Sequence, residues 1–132
     1  MKQTARSIET ELRRLIKESS IGEWKVYFAD AIPELRRDES YITVRHTAGI
    51  EGDVQEGIAT VNYFIPALSR GVADVQRIAE VERKVAEWAY SLKPYKGWYW
   101  QLADTITTHY DPDATIYFVS IRLKYKHYTE EY

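Results

Sequence analysis

At 132 residues, with 45% hydrophobic and 29% charged side chains, the chain has the size and balance of one globular domain. Eighteen basic against twenty acidic residues leave a formal charge of -2, which excludes a domain-wide basic field that holds phosphates by counterion release. The lack of Cys excludes disulfides, thiolate catalysis and Cys-based zinc, while eleven Tyr and four Trp exceed what one small core usually absorbs and suit an interface.

The first residues, Met1 to Arg6, run into a charged segment without an apolar core, and nowhere do eighteen apolar residues follow one another. The expectation is therefore neither a secretion signal nor a membrane span. Residues 4–19 place Ile8, Leu12, Leu15 and Ile16 on one stripe of an amphipathic helix, with Arg6, Glu9, Arg13, Arg14 and Lys17 on its outer face. Ser19-Ser20-Ile21-Gly22 ends that helix, and residues 24–28, β-branched and aromatic, predict a short strand that Pro33 soon interrupts. After a charged loop, residues 41–47 alternate with period two and predict a half-buried strand with Ile42 and Val44 inward. Gly49, Gly52 and Gly57 bracket Glu51, Asp53, Gln55 and Glu56, which is the composition of a loop or of a hairpin tip. Residues 58–65 predict the next strand, with Ala59, Val61, Tyr63 and Ile65 on one face and Ile58, Thr60, Asn62 and Phe64 on the other.

Residues 72–92 carry the clearest helical period, with Ile78, Val81, Val85, Trp88 and Leu92 at spacings of three and four. Pro94 and Gly97 stop it, and either Ser69 or Asp74 caps its start. Residues 98–109 and 115–126 are strand-like runs around the turn Tyr110-Asp111-Pro112-Asp113-Ala114. At about 3.3 Å per residue each arm reaches roughly 35–40 Å, so its far end must bend, bulge or pass beyond the domain body to a neighbour. The fold class is thus α+β, one domain over residues 1–132: two helices packed on a mostly antiparallel sheet with a long C-terminal β-hairpin.

Enzyme motifs are missing from the sequence. His46, His109 and His127 are isolated, and no Gly-x-Ser-x-Gly elbow, phosphate loop or dinucleotide turn occurs. Asp104 with His109, Asp111 and Asp113 is the best local metal candidate, against a turn that needs Asp and Pro for backbone reasons. Glu51, Asp53 and Glu56 supply carboxylates but sit among glycines, the setting of a solvated loop and not of a pKa-shifting pocket. Arg122, Lys124, Lys126 and His127 alternate with Leu123, Tyr125 and Tyr128 in the manner of a nucleic-acid platform or, more simply, of an exposed strand face. Asp104 shares strand parity with Trp98, Trp100, Leu102 and Ile106, so either a bulge swings it outward or it is a buried carboxylate with a basic partner.

The order helix, short strand, two longer strands, long helix, closing hairpin rests on three strand segments and the helix that follows them. These are Val26-Tyr27-Phe28-Ala29-Asp30-Ala31-Ile32-Pro33, Tyr41-Ile42-Thr43-Val44 and Thr60-Val61-Asn62-Tyr63-Phe64. Over nearly the whole chain this order resembles the small tail-terminator and tail-completion proteins of long-tailed bacteriophages. The resemblance implies a non-enzymatic structural protein of a phage or prophage, without cofactor, metal or catalytic residue. It implies a homo-oligomeric ring, commonly a hexamer, that caps the tail tube and takes part in head-tail joining. Its partners would be itself and the tail-tube and head-connector proteins, with no membrane and no sequence-specific nucleic acid. Its place would be the virion tail, assembled in the bacterial host cytoplasm. Position and exposure make Trp98, Tyr99, Trp100, Asp104, Arg122, Lys124 and Tyr125 the interface candidates, with Glu51 and Asp53 in a loop toward the tube or lumen. The competing expectation is a small-molecule-binding α+β protein or enzyme with Trp88, Trp98 and Trp100 lining an aromatic pocket, or a stand-alone dimeric adaptor.

Overall fold

The computed structural model describes residues 3–19, 21, 23–34, 39–50, 52, 54–68 and 71–128. Within them the chain runs α1 (Ala5–Lys17), β1 (Lys25–Phe28), β2 (Tyr41–Ile50), β3 (Val54–Pro66), α2 (Val75–Ser91), β4 (Trp98–Leu102), β5 (Thr107–Asp111) and β6 (Ile116–Tyr128). The class is α+β. Among the described residues six strands form one sheet, in which only the β1–β2 pair is parallel. No described helix is long and apolar enough to cross a membrane.

Each helix is set by its cap and its stripe. At the start of α1 the Thr4 hydroxyl accepts from the Ser7 N–H at 3.2 Å, while the Ser7 hydroxyl accepts from the Thr4 N–H at 2.8 Å. Two otherwise orphaned amides are thereby satisfied. Ile8, Leu12 and Ile16 are buried beneath it. Asp74 is the cap of α2, accepting from the Arg77 N–H at 3.3 Å, so the helix begins at Val75 and not near residue 72. Ser69, the other cap candidate, lies outside the described residues. The buried stripe of α2 passes through Ala89, leaving Trp88 and Leu92 half-buried at its rim.

The sheet order is β1-β2-β3-β6-β4, with β5 pairing β6 beyond the end of β4. Of the outcomes expected for the long arms, the first arm shows the bulge, between Leu102 and Thr107, and the second does not pass beyond the described sheet. All thirteen residues of β6 pair with all thirteen of β3, from Ile116 opposite Pro66 to Tyr128 opposite Val54. The length that one hairpin partner cannot occupy is absorbed in the middle of the sheet, because β6 is flanked by β3 on one side and by β5 and β4 on the other. The glycine-punctuated stretch is part of the same spine, since β2 continues to Ile50 and β3 starts at Val54. Gly49 lies opposite Gly57, and Tyr125 explains the pair. A Cβ on Gly57 would overlap the Ala48 carbonyl and sit 2.6 Å from the Tyr125 hydroxyl, which occupies the space two side chains would need.

Both helices cover one face of the sheet. Ile42, Val44, Ala59, Val61, Tyr63, Ile65, Val119, Ile121 and Leu123 meet the helical stripes there in one contiguous core. The chain enters β4 through a tight turn in which Lys96 and Gly97 take φ of 47° and 85°. Tyr95 and Trp98 exchange backbone hydrogen bonds of 3.0 and 2.9 Å around it, the two-residue turn whose twist matches an antiparallel pair.

Candidate functional site

The opposite face of the sheet has no helix on it among the described residues, and its side chains follow from strand parity. Along β6 the inward residues Val119, Ile121, Leu123 and Tyr125 are buried, while Arg122, Lys124 and Lys126 are exposed. Tyr41 lies opposite Phe64, Phe64 opposite Phe118, and Phe118 opposite His109. Register therefore lines up four rings on β2, β3, β6 and β5, with centroids 4.5, 5.2 and 5.3 Å apart, and Tyr27 of β1 extends the row at 6.2 Å. Strand spacing of about 4.8 Å is what permits such a ladder. The Tyr41 and Phe64 planes differ by 8°, so the rings stand face to face and present their edges to solvent. Bases stack on ring faces, so the ladder is poorly disposed for single-stranded nucleic acid. The next row is polar, Thr43, Asn62 and Ser120, and Asn62 Oδ1 is shielded from solvent without a hydrogen-bond partner among the described residues.

Beyond the polar row the face becomes cationic. Arg45, Thr60 and Arg122 lie in register, followed by Lys124 and Lys126 along β6. Three shallow depressions open here. One of about 310 Å³ lies beside Pro94, Tyr99, Lys124 and Tyr128, and one of about 320 Å³ lies beside Ala48, Ile50 and Ile58. The third, about 360 Å³, lies at Asp104, Thr107, His109 and Arg122.

The predicted interface residues divide between the two faces. Trp98 and Trp100 are each 7% exposed and Tyr125 is fully buried, which removes these three from a surface contact. Parity is the physical reason: they share the inward face, where the two indoles stack 5.6 Å apart and both rings pack on Tyr125. The same packing fills the place of the aromatic pocket expected of a small-molecule protein, and Trp88 is a rim residue of the core. Tyr99, 42% exposed, lies on the open side with its ring edge-on to Tyr128 at 5.2 Å. Glu51 and Asp53 lie outside the described residues.

Asp104 is resolved in favour of the bulge. Leu102 lies opposite Leu123 and Thr107 opposite Ser120, so residues 103–106 face only Ile121 and Arg122. Two extra residues keep the parity of β4 and β5 the same while turning residue 104 outward. There its carboxylate accepts from Arg122 Nη1 at 2.8 Å, with both side chains about half exposed. Asp104 and Arg122 thus partner each other within one chain. Of the residues proposed for a metal, Asp111 instead accepts from the Asp113 N–H at 3.1 Å and His109 bonds the Thr107 hydroxyl at 2.9 Å. Among the described residues no three His or carboxylate side chains gather around a common point.

One buried polar cluster escaped the sequence reading. Glu9 on α1 accepts the His46 backbone N–H at 2.8 Å, and His46 Nε2 meets the Tyr125 hydroxyl at 2.6 Å. Burial lowers the His46 pKa and raises that of the Tyr125 phenol, so both stay neutral near pH 7. The cluster fastens α1 to the β2–β3–β6 spine where β2 bulges between His46 and Ala48. The signal was the glycine pair, which marks where a large ring must lie. No protein-family model matches the chain, and no curated protein matches its sequence.

Proposed function

We propose that the chain is a non-enzymatic assembly subunit of a phage or prophage tail, a terminator or completion protein that closes into a ring, caps the tail tube and joins it to the head. The observation that carries this reading is the uncovered sheet face, with its aromatic ladder, on a domain of the element order that drew the resemblance. A contiguous patch of half-buried rings with the exposed His109 at its end is the kind of surface that marks macromolecular contact. The sheet edges are the weaker alternative for a ring contact. At one edge β1 has four residues, and at the other the bulge at 103–106 breaks β4 from β5. Short and bulged edges discourage strand addition. A closing ring needs a heterologous contact, and an open face set against the differently built helical side of the next copy supplies one. The partners in this reading are the chain itself, the tube and the head connector, and its location is the virion tail.

Negative-stain microscopy and sedimentation of the full chain, alone and with tail-tube protein, test it. Closed rings of uniform size, lost on Phe64→Ser with Phe118→Ser, are expected. A chain that stays monomeric at high concentration and with tube protein present sinks the reading.

A further inference from the structure

Lys124 and Lys126 stand two residues apart on the open side of β6, both exposed. Among the described residues Lys124 makes no ion pair, and Lys126 only approaches Glu56 at 3.9 Å. On one flank lies the depression of about 310 Å³ walled by Pro94, Tyr99 and Tyr128. On the other lies the depression of about 320 Å³ beside Ile58 and Ile50, the latter 74% exposed. The ridge is thus two cations between apolar and aromatic walls, a surface complementary to a short acidic segment that carries a ring.

The sequence holds such a segment. Thr129-Glu130-Glu131-Tyr132 follows β6, outside the described residues, and brings two adjacent carboxylates and a phenol. Building on the reading of the chain as a self-assembling subunit, we propose that residues 129–132 of one copy dock on the Lys124–Lys126 ridge of a second copy. Engaging both lysines with both carboxylates calls for a second copy because of reach. β6 runs from Lys124 toward Tyr128, and at about 3.3 Å per residue Lys124 lies roughly 13 Å behind that strand end. A reversal uses at least two residues, which returns Glu131 only to the level of Tyr128 of its own chain. The tail of a second copy is not tied to that strand end. Exposed ion pairs are individually weak, so the contact depends on both carboxylates together with the ring against Tyr99 and Pro94, and on repetition around an assembly.

The test uses the full chain and a fluorescently labelled peptide, Tyr-Thr-Glu-Glu-Tyr, followed by anisotropy, with sedimentation in parallel. Saturable binding that weakens with salt is expected. Lys124→Glu with Lys126→Glu should weaken it at least tenfold, and a peptide carrying Lys in place of both Glu should bind that variant instead. In sedimentation the same reversal should lower self-association, and Glu130→Lys with Glu131→Lys in the reversed chain should restore it. Circular dichroism on the variants confirms the fold, since both lysines are exposed. Peptide binding indifferent to the charge reversal overturns the docking surface. Rings that form equally well with either pair reversed overturn it while leaving the assembly reading intact. A lysine-dependent peptide site on a chain that never self-associates overturns docking between copies together with the assembly reading.

Discussion

Tyr99 and Trp100 are neighbours in the chain and opposites in the fold. Trp100 is buried with Trp98 and Tyr125 on the helix-covered face, whereas Tyr99 touches Tyr128 on the face that carries no helix among the described residues. The covered face is a closed packing problem, in which each ring is held by several others and Gly49 and Gly57 are small because Tyr125 is large. On the open face side chains touch across strands, and among the described residues no helix packs over them. The difference teaches that aromatic richness in this chain has two causes, and that the open-face rings, unlike the rings of the core, are available to a partner.

The largest expected effect lies in that adjacent pair. Trp100→Ala leaves a large void and should cost about 3–5 kcal/mol in chemical denaturation. Tyr99→Ala should cost less than about 1 kcal/mol, because its ring is solvated and makes one edge contact. Equal costs would mean that the two faces are not energetically distinct. Next comes Gly57→Ala, which drives a Cβ into the Ala48 carbonyl and the Tyr125 hydroxyl and should cost about 2–3 kcal/mol. Gly52→Ala, whose Cβ meets nothing closer than the Val54 carbonyl at 3.5 Å, is the control and should be nearly neutral.

Removal of a ladder ring sharpens the comparison from the other side. Phe64→Ser should cost about 1–2 kcal/mol in the isolated chain, since Phe64 loses stacking on Tyr41 and contact with Phe118 but little full burial. A much larger loss would show the ladder to be a second core. The covered face also holds two imidazoles, His46 and His127, whose pKa values burial lowers from the ordinary 6.5. Both are neutral above that value in the folded and unfolded states alike, so stability is flat there. As pH falls below 6.5 the unfolded chain takes up protons first and stability declines toward the lowered folded values. Urea midpoints at several pH values between 8 and 5 measure this, and His127→Phe should flatten part of the slope. A stability that rises on acidification through this window contradicts the assignment.

Much of the covered face was legible because it depends on period alone. The spacing of Ile8, Leu12 and Ile16, and the alternation of Ala59, Val61, Tyr63 and Ile65, name buried residues without any knowledge of their neighbours. The open-face ladder depends on register. Tyr41, Phe64, Phe118 and His109 stand far apart in sequence, and alternation along single strands does not say which residue faces which. Two irregularities, between His46 and Ala48 and across 103–106, shift the pairing by amounts that composition does not reveal. The position of β6 was hidden for the same reason: a long hairpin arm reads identically whether one strand or three lie beside it. Trp98, Trp100 and Tyr125 are legible as inward by parity, which outweighs the exposure expected of them as interface residues.

The Asp104–Arg122 pair gives the smallest expected effect and the finest division between the faces. Both side chains are close to half exposed, so solvent screens their attraction, and a double-mutant cycle with Asp104→Ala and Arg122→Ala should give a coupling of about 0.2–1 kcal/mol that shrinks with added salt. The bulge has its own backbone tie, the Ala103 N–H donating to the Arg122 carbonyl at 2.9 Å, and that bond survives both substitutions. Pairing of β4 and β5 with β6 should then persist in amide exchange of the double variant. A coupling well above 1 kcal/mol, insensitive to salt, would place the pair out of solvent. Because half of each side chain is exposed in the single chain, the added shielding would have to come from a second molecule seated on the open face. Measured at two protein concentrations, the cycle separates these cases, since an intramolecular coupling is the same at both and a contact between copies strengthens with the higher.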